Sequence, residues 1–259
     1  MLKRLVKLLI SLTLRGWDLA SQGLVGRRPT PTCVALYYHS VDAAQRRRFA
    51  LQMDTLLRLT RPIAAGQRPP LNGCTRYSAV TFDDGFVSVV ENALPELEQR
   101  NIPATLFIPT GSLGASPAWV RNPSAPAARE RVMSEAQISA LRHHPLVSIG
   151  SHTVSHPNLA RLDDTRAAFE LAESRAQLEA IVGRPVTLFS FPHGAYTSRT
   201  LELARASGYE RVFTIAPQRA CLAADSFILG RVAASPGDWP LEFQLKLLGA
   251  YRWQVSARS

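Results

Sequence analysis

Two hydrophobic periods divide the chain. Over residues 2–22 the period is helical. Lys3, Arg4, Lys7, Ser11, Arg15, Asp18 and Gln22 recur every three to four positions and share one face. Leu2, Leu5, Leu9, Leu12 and Leu19 lie opposite, with Val6, Ile10 and Trp17 widening that stripe. The apolar run is interrupted by Lys7 and is too short to span a bilayer. It lacks the unbroken apolar region and small-residue cleavage site of a signal peptide. A basic face, a leucine-rich face and a tryptophan describe an interfacial helix. A helix packed on its own domain fits the same pattern. The stretch 239–253, with Phe243, Lys246, Leu247, Leu248, Tyr251 and Arg252, is expected to join the same surface.

Beyond a linker marked by Arg27, Arg28, Pro29 and Pro31, the pattern changes. Short apolar runs predict strands over 33–39, 79–82, 104–108, 146–150, 187–191, 211–214 and 227–231. Between them, helices are predicted over 46–59, 86–100, 134–143, 163–182 and 199–207. Ser134 and Asp163 or Asp164 serve as N-caps, and Gly183 and Pro185 as a stop. Residues 109–127, rich in Gly, Pro, Ser and Ala, read as a long loop over one face. About seven strand–helix alternations predict an α/β fold, a parallel sheet or barrel with its site on the loops that follow the strands. The expected division is an amphipathic helix and linker over residues 1–30 and one α/β domain over residues 31–259.

A length of 259 residues suits one such domain, and 46% hydrophobic content is ample for its core. The formal charge is +10, from 30 Lys and Arg against 20 Asp and Glu, which favours anionic partners. Arginines are not interleaved with aromatics, and no zinc finger or recognition helix occurs, so nucleic acid is not the expected partner. Cys33, Cys74 and Cys221 are odd in number and form no CxxC, which fits reduced, buried thiols. A cytoplasmic protein peripheral to a membrane is the expected location; export with an uncleaved anchor is the alternative.

The candidate chemistry lies at two strand ends. Thr81-Phe82-Asp83-Asp84-Gly85 runs from an apolar strand into two adjacent carboxylates, which repel unless a cation or different surroundings separate them. Ser151-His152-Thr153-Val154-Ser155-His156 follows the strand ending near Ile149. If that turn is helical, His152 and His156 share a face and grip one divalent ion. Two imidazoles and one of the carboxylates leave coordination positions open, and the other carboxylate is then available as a base.

These two motifs resemble the first two motifs of the polysaccharide deacetylases, the NodB-homology domains of carbohydrate esterase family 4. Asn101 through Phe107 and Met133 through Gly150 resemble that family's connecting text, and the likeness covers roughly residues 33–235. It implies a distorted (β/α)7 barrel of the NodB-homology type. It also implies metal-dependent removal of an acyl group from a sugar, here expected to be an N-acetyl group on an amino sugar of a polysaccharide or lipid-linked glycan. Asp84, His152 and His156 would hold one divalent ion, most naturally Zn2+, with Co2+, Ni2+ or Mn2+ as alternatives. Asp83 would be the general base.

Later motifs depart from the majority pattern. Ser190-Phe191-Pro192-His193-Gly194 stands where an Arg-Pro-Tyr is usual, so the arginine that orients the base is missing. Leu229-Gly230-Arg231 stands where the acid histidine is usual, and Asp238-Trp239 where a tryptophan is. A permuted branch, resembling the biofilm poly-N-acetylglucosamine deacetylases, carries its acid histidine on the first strand, and Tyr38-His39-Ser40-Val41-Asp42 resembles that motif. His39 is then the general acid. Tyr38, Pro192 and His193 line the substrate and oxyanion pocket, with His193 also a secondary acid candidate, and Arg231 steadies Asp83. Two other readings stay open: an impaired member that binds glycan without cleaving it, and an O-acyl esterase or cyclic amidohydrolase on the same scaffold.

Overall fold

The computed structural model describes residues 2–25, 32–69, 75–217 and 226–253. Cys74 and Cys221 lie outside these residues, and Cys33 is a buried free thiol. Helix α1 (Leu2–Val25) precedes strand β1 (Thr32–Tyr38), helix α2 (Arg46–Leu59) and the short strand β2 (Arg61–Pro62). Then come β3 (Arg76–Phe82), α3 (Leu94–Gln99), β4 (Ala104–Ile108), α4 (Glu135–Ala140) and β5 (Val147–Ser151). The chain continues through α5 (Asp164–Val182), β6 (Leu188–Ser190), α6 (Ser198–Ala206), β7 (Arg211–Phe213), β8 (Ile228–Leu229), β9 (Val232–Ala233) and α7 (Pro240–Leu247).

The strands form one sheet in the order β8-β7-β6-β5-β4-β3-β1-β9, with β2 paired to β3 and every pair parallel. One stretch, 228–233, occupies both ends of that order. Its first half pairs with β7 and its second half with β1. The sheet is thereby curled into a barrel with seven strand positions, the distorted (β/α) architecture expected. The expected strand over 227–231 is thus two short strands that part at Gly230-Arg231.

Side chains alternate across the barrel wall. Ala35, Ala79, Phe107, Leu188, Phe213 and Leu229 fill the interior. Their neighbours Leu36, Val80, Leu106 and Ile149 point outward into the main core beneath the helices. Gly150 makes the interior packing possible. A Cβ there would meet the Phe107 ring at 2.5 Å.

Two helices differ from expectation. The one expected over 86–100 contains a π-helical stretch, Val89–Ala93, with the Leu94 N–H reaching back to the Val89 carbonyl. Pro95 explains it, since proline has no N–H for the next α-helical bond and its ring crowds the preceding turn. The stretch 239–253 is not an exposed companion to α1. Phe243, Leu247 and Tyr251 are each 1% exposed and belong to the main core. Lys246 is buried against Asp238 at 2.6 Å.

Gly150→Ala is expected to cost about 1–3 kcal/mol through overpacking against Phe107. Urea unfolding measures it, and adding Phe107→Leu in the same chain should recover most of the loss. Equal stability of wild type and Gly150→Ala would contradict the packing described.

Candidate active site

The strand ends converge above the barrel interior. Asp83 continues the β3 ladder by donating its N–H to the Tyr38 carbonyl at 2.9 Å. Its side chain therefore keeps the inward direction of Ala79 and Thr81. Asp84 then turns left-handed at φ 71°, followed by Gly85 at φ 60°. Gly85 is required on two counts: its backbone angle, and the Ile108 side chain 3.0 Å from any added Cβ. The left-handed turn is what brings adjacent carboxylates to one site with different surroundings.

The histidine segment is not helical. Residues 152–158 form a turn in which Thr153 (φ 70°) and His156 (φ 58°) are both left-handed. Glu170 of α5, 2% exposed, holds this turn by accepting the N–H groups of Val154 and Ser155 at 2.8 Å each, and the Ser155 hydroxyl. The His156 N–H donates to Thr153 Oγ1 at 3.0 Å. The outcome is the juxtaposition expected of a helix, reached by another route. The two imidazoles lie 4.8 Å apart at 68°.

Asp84, His152 and His156 are all buried, and their ligand atoms lie within 4.8 Å of one another. Asp84 Oδ1 is 3.3 Å from His156 Nε2 and 3.7 Å from His152 Nε2, yet has no hydrogen-bond partner. A buried carboxylate oxygen without a donor is costly unless a cation completes it. His152 Nδ1 is 2.7 Å from the Ser190 carbonyl, which can only accept. Nδ1 therefore carries the proton, and Nε2 turns its lone pair toward Asp84. Burial brings the His152 pKa down to about 4, against the pull of Asp83, so the ring is neutral at ordinary pH. This donor set of one carboxylate oxygen and two imidazole nitrogens fits a divalent ion of the zinc type.

Asp83 faces a different partner. Arg231, 0% exposed, grips it with two parallel bonds, Nη1 to Oδ1 at 2.7 Å and Nη2 to Oδ2 at 2.8 Å. The same guanidinium donates to Thr81 Oγ1 at 3.0 Å, Ser190 Oγ at 2.7 Å and the Thr214 carbonyl at 3.3 Å. Its plane rests over the rings of Tyr37, Phe107 and Phe213. Burial pushes the Asp83 pKa up. Arg231 and, less strongly, His152 and His39 outweigh that and hold it at about 2.

His39, at the end of β1, is exposed, with its ring edge-on to Tyr37 at 5.7 Å. A proton on its ring would favour the ionised forms of both Asp83 and Asp84. His193 is left-handed at φ 58° and exposed, its ring 4.8 Å from that of His156, while Pro192 beside it is buried. Tyr38 does not line the pocket. It is 1% exposed, donates its hydroxyl to Gln52 Oε1 at 3.0 Å and stacks on Phe82 outside the barrel wall. Strand alternation gives the inward position to its neighbour Tyr37. Trp239 is likewise not a pocket residue: its ring lies under the Arg4 guanidinium, beside α1.

Three contributors escaped the sequence reading. Glu170 lies mid-helix, with nothing local to mark it. Trp119, inside the long loop, stacks on His156 at 4.7 Å and 22°. Tyr37 stood beside a noted residue, and the two-residue period of β1 was the available signal.

Comparison with known proteins identifies the family. The family model described as polysaccharide deacetylase matches residues 72–212, more than half of the chain. YxkH of Bacillus subtilis (strain 168), which carries a polysaccharide deacetylase name, is 29% identical over 158 residues, 61% of this chain and 51% of its own. The peptidoglycan-N-acetylglucosamine deacetylase of Bacillus cereus is 26% identical over 127 residues, 49% of this chain and 39% of that protein. The chain thus spans about half or less of the length of these curated relatives. Among solved structures, IcaB from Ammonifex degensii superposes with a TM-score of 0.68 at 26% identity, covering 85% of this chain and 98% of that one. With the matched family model spanning Asp83, Asp84, His152, His156 and the strands that carry them, this chain belongs to the polysaccharide deacetylase family.

Proposed function

We propose that this chain is a metal-dependent de-N-acetylase of an acetylated amino-sugar glycan, either a polysaccharide or a lipid-linked saccharide. The observation that carries the reading is a carboxylate clamped by a buried arginine directly beside a second carboxylate and two imidazoles. Family membership and the peptidoglycan-N-acetylglucosamine deacetylase relative support the substrate class.

In this reading Asp84 Oδ1, His152 Nε2 and His156 Nε2 hold one divalent ion, Zn2+ by donor type, with Co2+, Ni2+ and Mn2+ as substitutes. When bound, such an ion supplies Lewis acidity, polarising the acyl carbonyl and acidifying a water. Asp83 accepts the proton of the attacking water. Arg231 keeps it ionised and fixes both of its oxygens, so one lobe is presented in a single direction. His39, at the end of β1 and open to solvent, delivers a proton to the leaving amine. His193 and Pro192 form the wall beside His156, where the acyl group lies. Gly194 and Ala195 spend their N–H groups within the turn, on the Phe191 and Pro192 carbonyls. A missing orienting arginine was the sequence argument for an impaired, purely binding member. Arg231, at the junction of β8 and β9, grips Asp83 in its place, which supports a working enzyme over a purely binding member.

Purified protein with Zn2+ or Co2+ is expected to release acetate from N-acetylglucosamine oligomers, and chelation to abolish it. Asp83→Asn should lower kcat by about 10²–10⁴-fold while the protein still binds one equivalent of ion. Full activity in that variant would sink the mechanism.

Because Asp83 in the wild type titrates near 2, the acid limb of kcat/KM at higher pH belongs to another group. In Arg231→Met the chief opposition to burial is gone, so the Asp83 pKa rises and its acid limb should move up into the measured range. An unmoved pH profile in a folded Arg231→Met protein would contradict the assignment.

Asp83 also leaves a signature in stability. Its folded pKa of about 2 lies below the ordinary 3.8, so its contribution is complete above pH 3.8 and lost as pH falls through 2. The size is about 2 kcal/mol. Urea titrations of chelated protein between pH 4 and 2 should show this slope, and Asp83→Asn should lack it.

A further inference from the structure

Helix α1 is docked with the wrong face by the usual rule for amphipathic helices. Arg4, Ser11 and Asp18 point at the protein, with Leu8 packed against the main core between them. Arg4 donates to Glu242 at 2.6 Å and to the Gly237 carbonyl at 2.8 Å, and stacks on Trp239. Ser11 is 0% exposed and accepts from Trp253 Nε1 at 3.0 Å. Asp18 takes a two-pronged grip from Arg252 at 2.7 and 2.8 Å. These three anchors span four turns and fix the helix alongside α7.

The opposite face is left to solvent. Leu2 is 76% exposed, Leu9 61%, Trp17 74% and Leu19 53%, with Leu5, Val6, Ile10 and Leu12 between them. The non-apolar members of that half-cylinder are Thr13 and Gly16, neither charged. A continuous apolar surface of this extent on a folded chain marks a contact surface. No helix among the described residues is long and apolar enough to cross a membrane, so the face is suited to lying on one.

We propose that α1 is a membrane foot: its polar face fastens it to the barrel domain, and its apolar face enters the headgroup region of an anionic lipid leaflet. Charge selects this occupant over a second copy of the chain. Lys3 and Lys7 flank the apolar face and are exposed, whereas the helix's one acid, Asp18, is neutralised by Arg252. The acids beneath its first turn, Asp238 and Glu242, are matched by Arg4 and Lys246. With the chain at +10, two copies meeting at these faces would bring like charges together, while an anionic leaflet complements them. The inference rests on α1 and stands apart from the reading of the catalytic site.

The test is sedimentation of the full chain with vesicles of phosphatidylglycerol and phosphatidylethanolamine, against phosphatidylcholine alone. Binding to the anionic vesicles is expected, with brominated lipids quenching a fluorescence component that Trp17→Phe removes. Leu5→Glu with Leu9→Glu should reduce partitioning at least tenfold. Lys3→Glu and Lys7→Glu should each reduce it about fivefold or more at low salt. All these positions are exposed, so the melting temperature should hold, and acetate release from soluble oligomers should be unchanged. Absence of binding to either vesicle would overturn the proposal. So would a dimeric mass in solution that Leu9→Glu returns to monomer, which would assign the face to a second copy.

Discussion

A guanidinium with no exposed surface must be neutralised where it lies, and in this barrel that requirement organises the site. Arg231 sits at the break between β8 and β9, where the two ends of the sheet are brought together by one stretch of chain. From there it donates to β3 through Thr81 and Asp83, to β6 through Ser190, and to the end of β7. Removing one partner of such a pair typically costs about 3–5 kcal/mol, because the other charge stays buried. The aromatic floor of Tyr37, Phe107 and Phe213 completes its surroundings, and Gly150 makes room for Phe107. Barrel closure, interior packing and the charge state of Asp83 therefore depend on one side chain.

The remaining donors are placed by strained backbone rather than by regular structure. Asp84, Thr153, His156 and His193 are all left-handed, a conformation that costs a non-glycine residue roughly 1 kcal/mol or more. Three of the four have a rigid support nearby: Asp84 follows the end of the longest strand pair, and Thr153 and His156 flank Val154 and Ser155, which Glu170 holds. The separation of the two aspartates follows. Asp83 keeps the direction of its strand and meets a cation from the protein; Asp84 turns out of the strand and is left with an oxygen that no protein donor meets.

Much of this was legible in the sequence because it is local. The Asp-Asp-Gly strand end, the histidine spacing and the alternation of strands and helices are each contained in short windows, and the barrel follows from them. Arg231 was legible as a candidate because it stands where the family's acid-histidine motif is usual, but its grip on Asp83 joins residues 148 apart. Tyr38 was misplaced because motif likeness names residues without saying which way each side chain points; the period of β1 decides that. Whether the turn from His152 to His156 is helical stayed open in the sequence because spacing alone cannot distinguish a helix from two left-handed turns. The periodicity of α1 was read correctly, but a helical wheel does not say which face meets the protein.

The separation between Asp83 and Arg231 also orders events in time. During synthesis the aspartate emerges 148 residues ahead of the arginine that grips both of its oxygens. Until that cation arrives the carboxylate has to stay hydrated, since drying the interior around an unpaired charge costs several kcal/mol. The earlier strands can align on the apolar part of their outer core that they and the first helices supply, to which Val232 and the residues of α7 are added last. The inside of the barrel cannot dry until 228–233 is laid between the two sheet edges. Expulsion of water, closure of the barrel and completion of the chemistry are then a single late step of maturation.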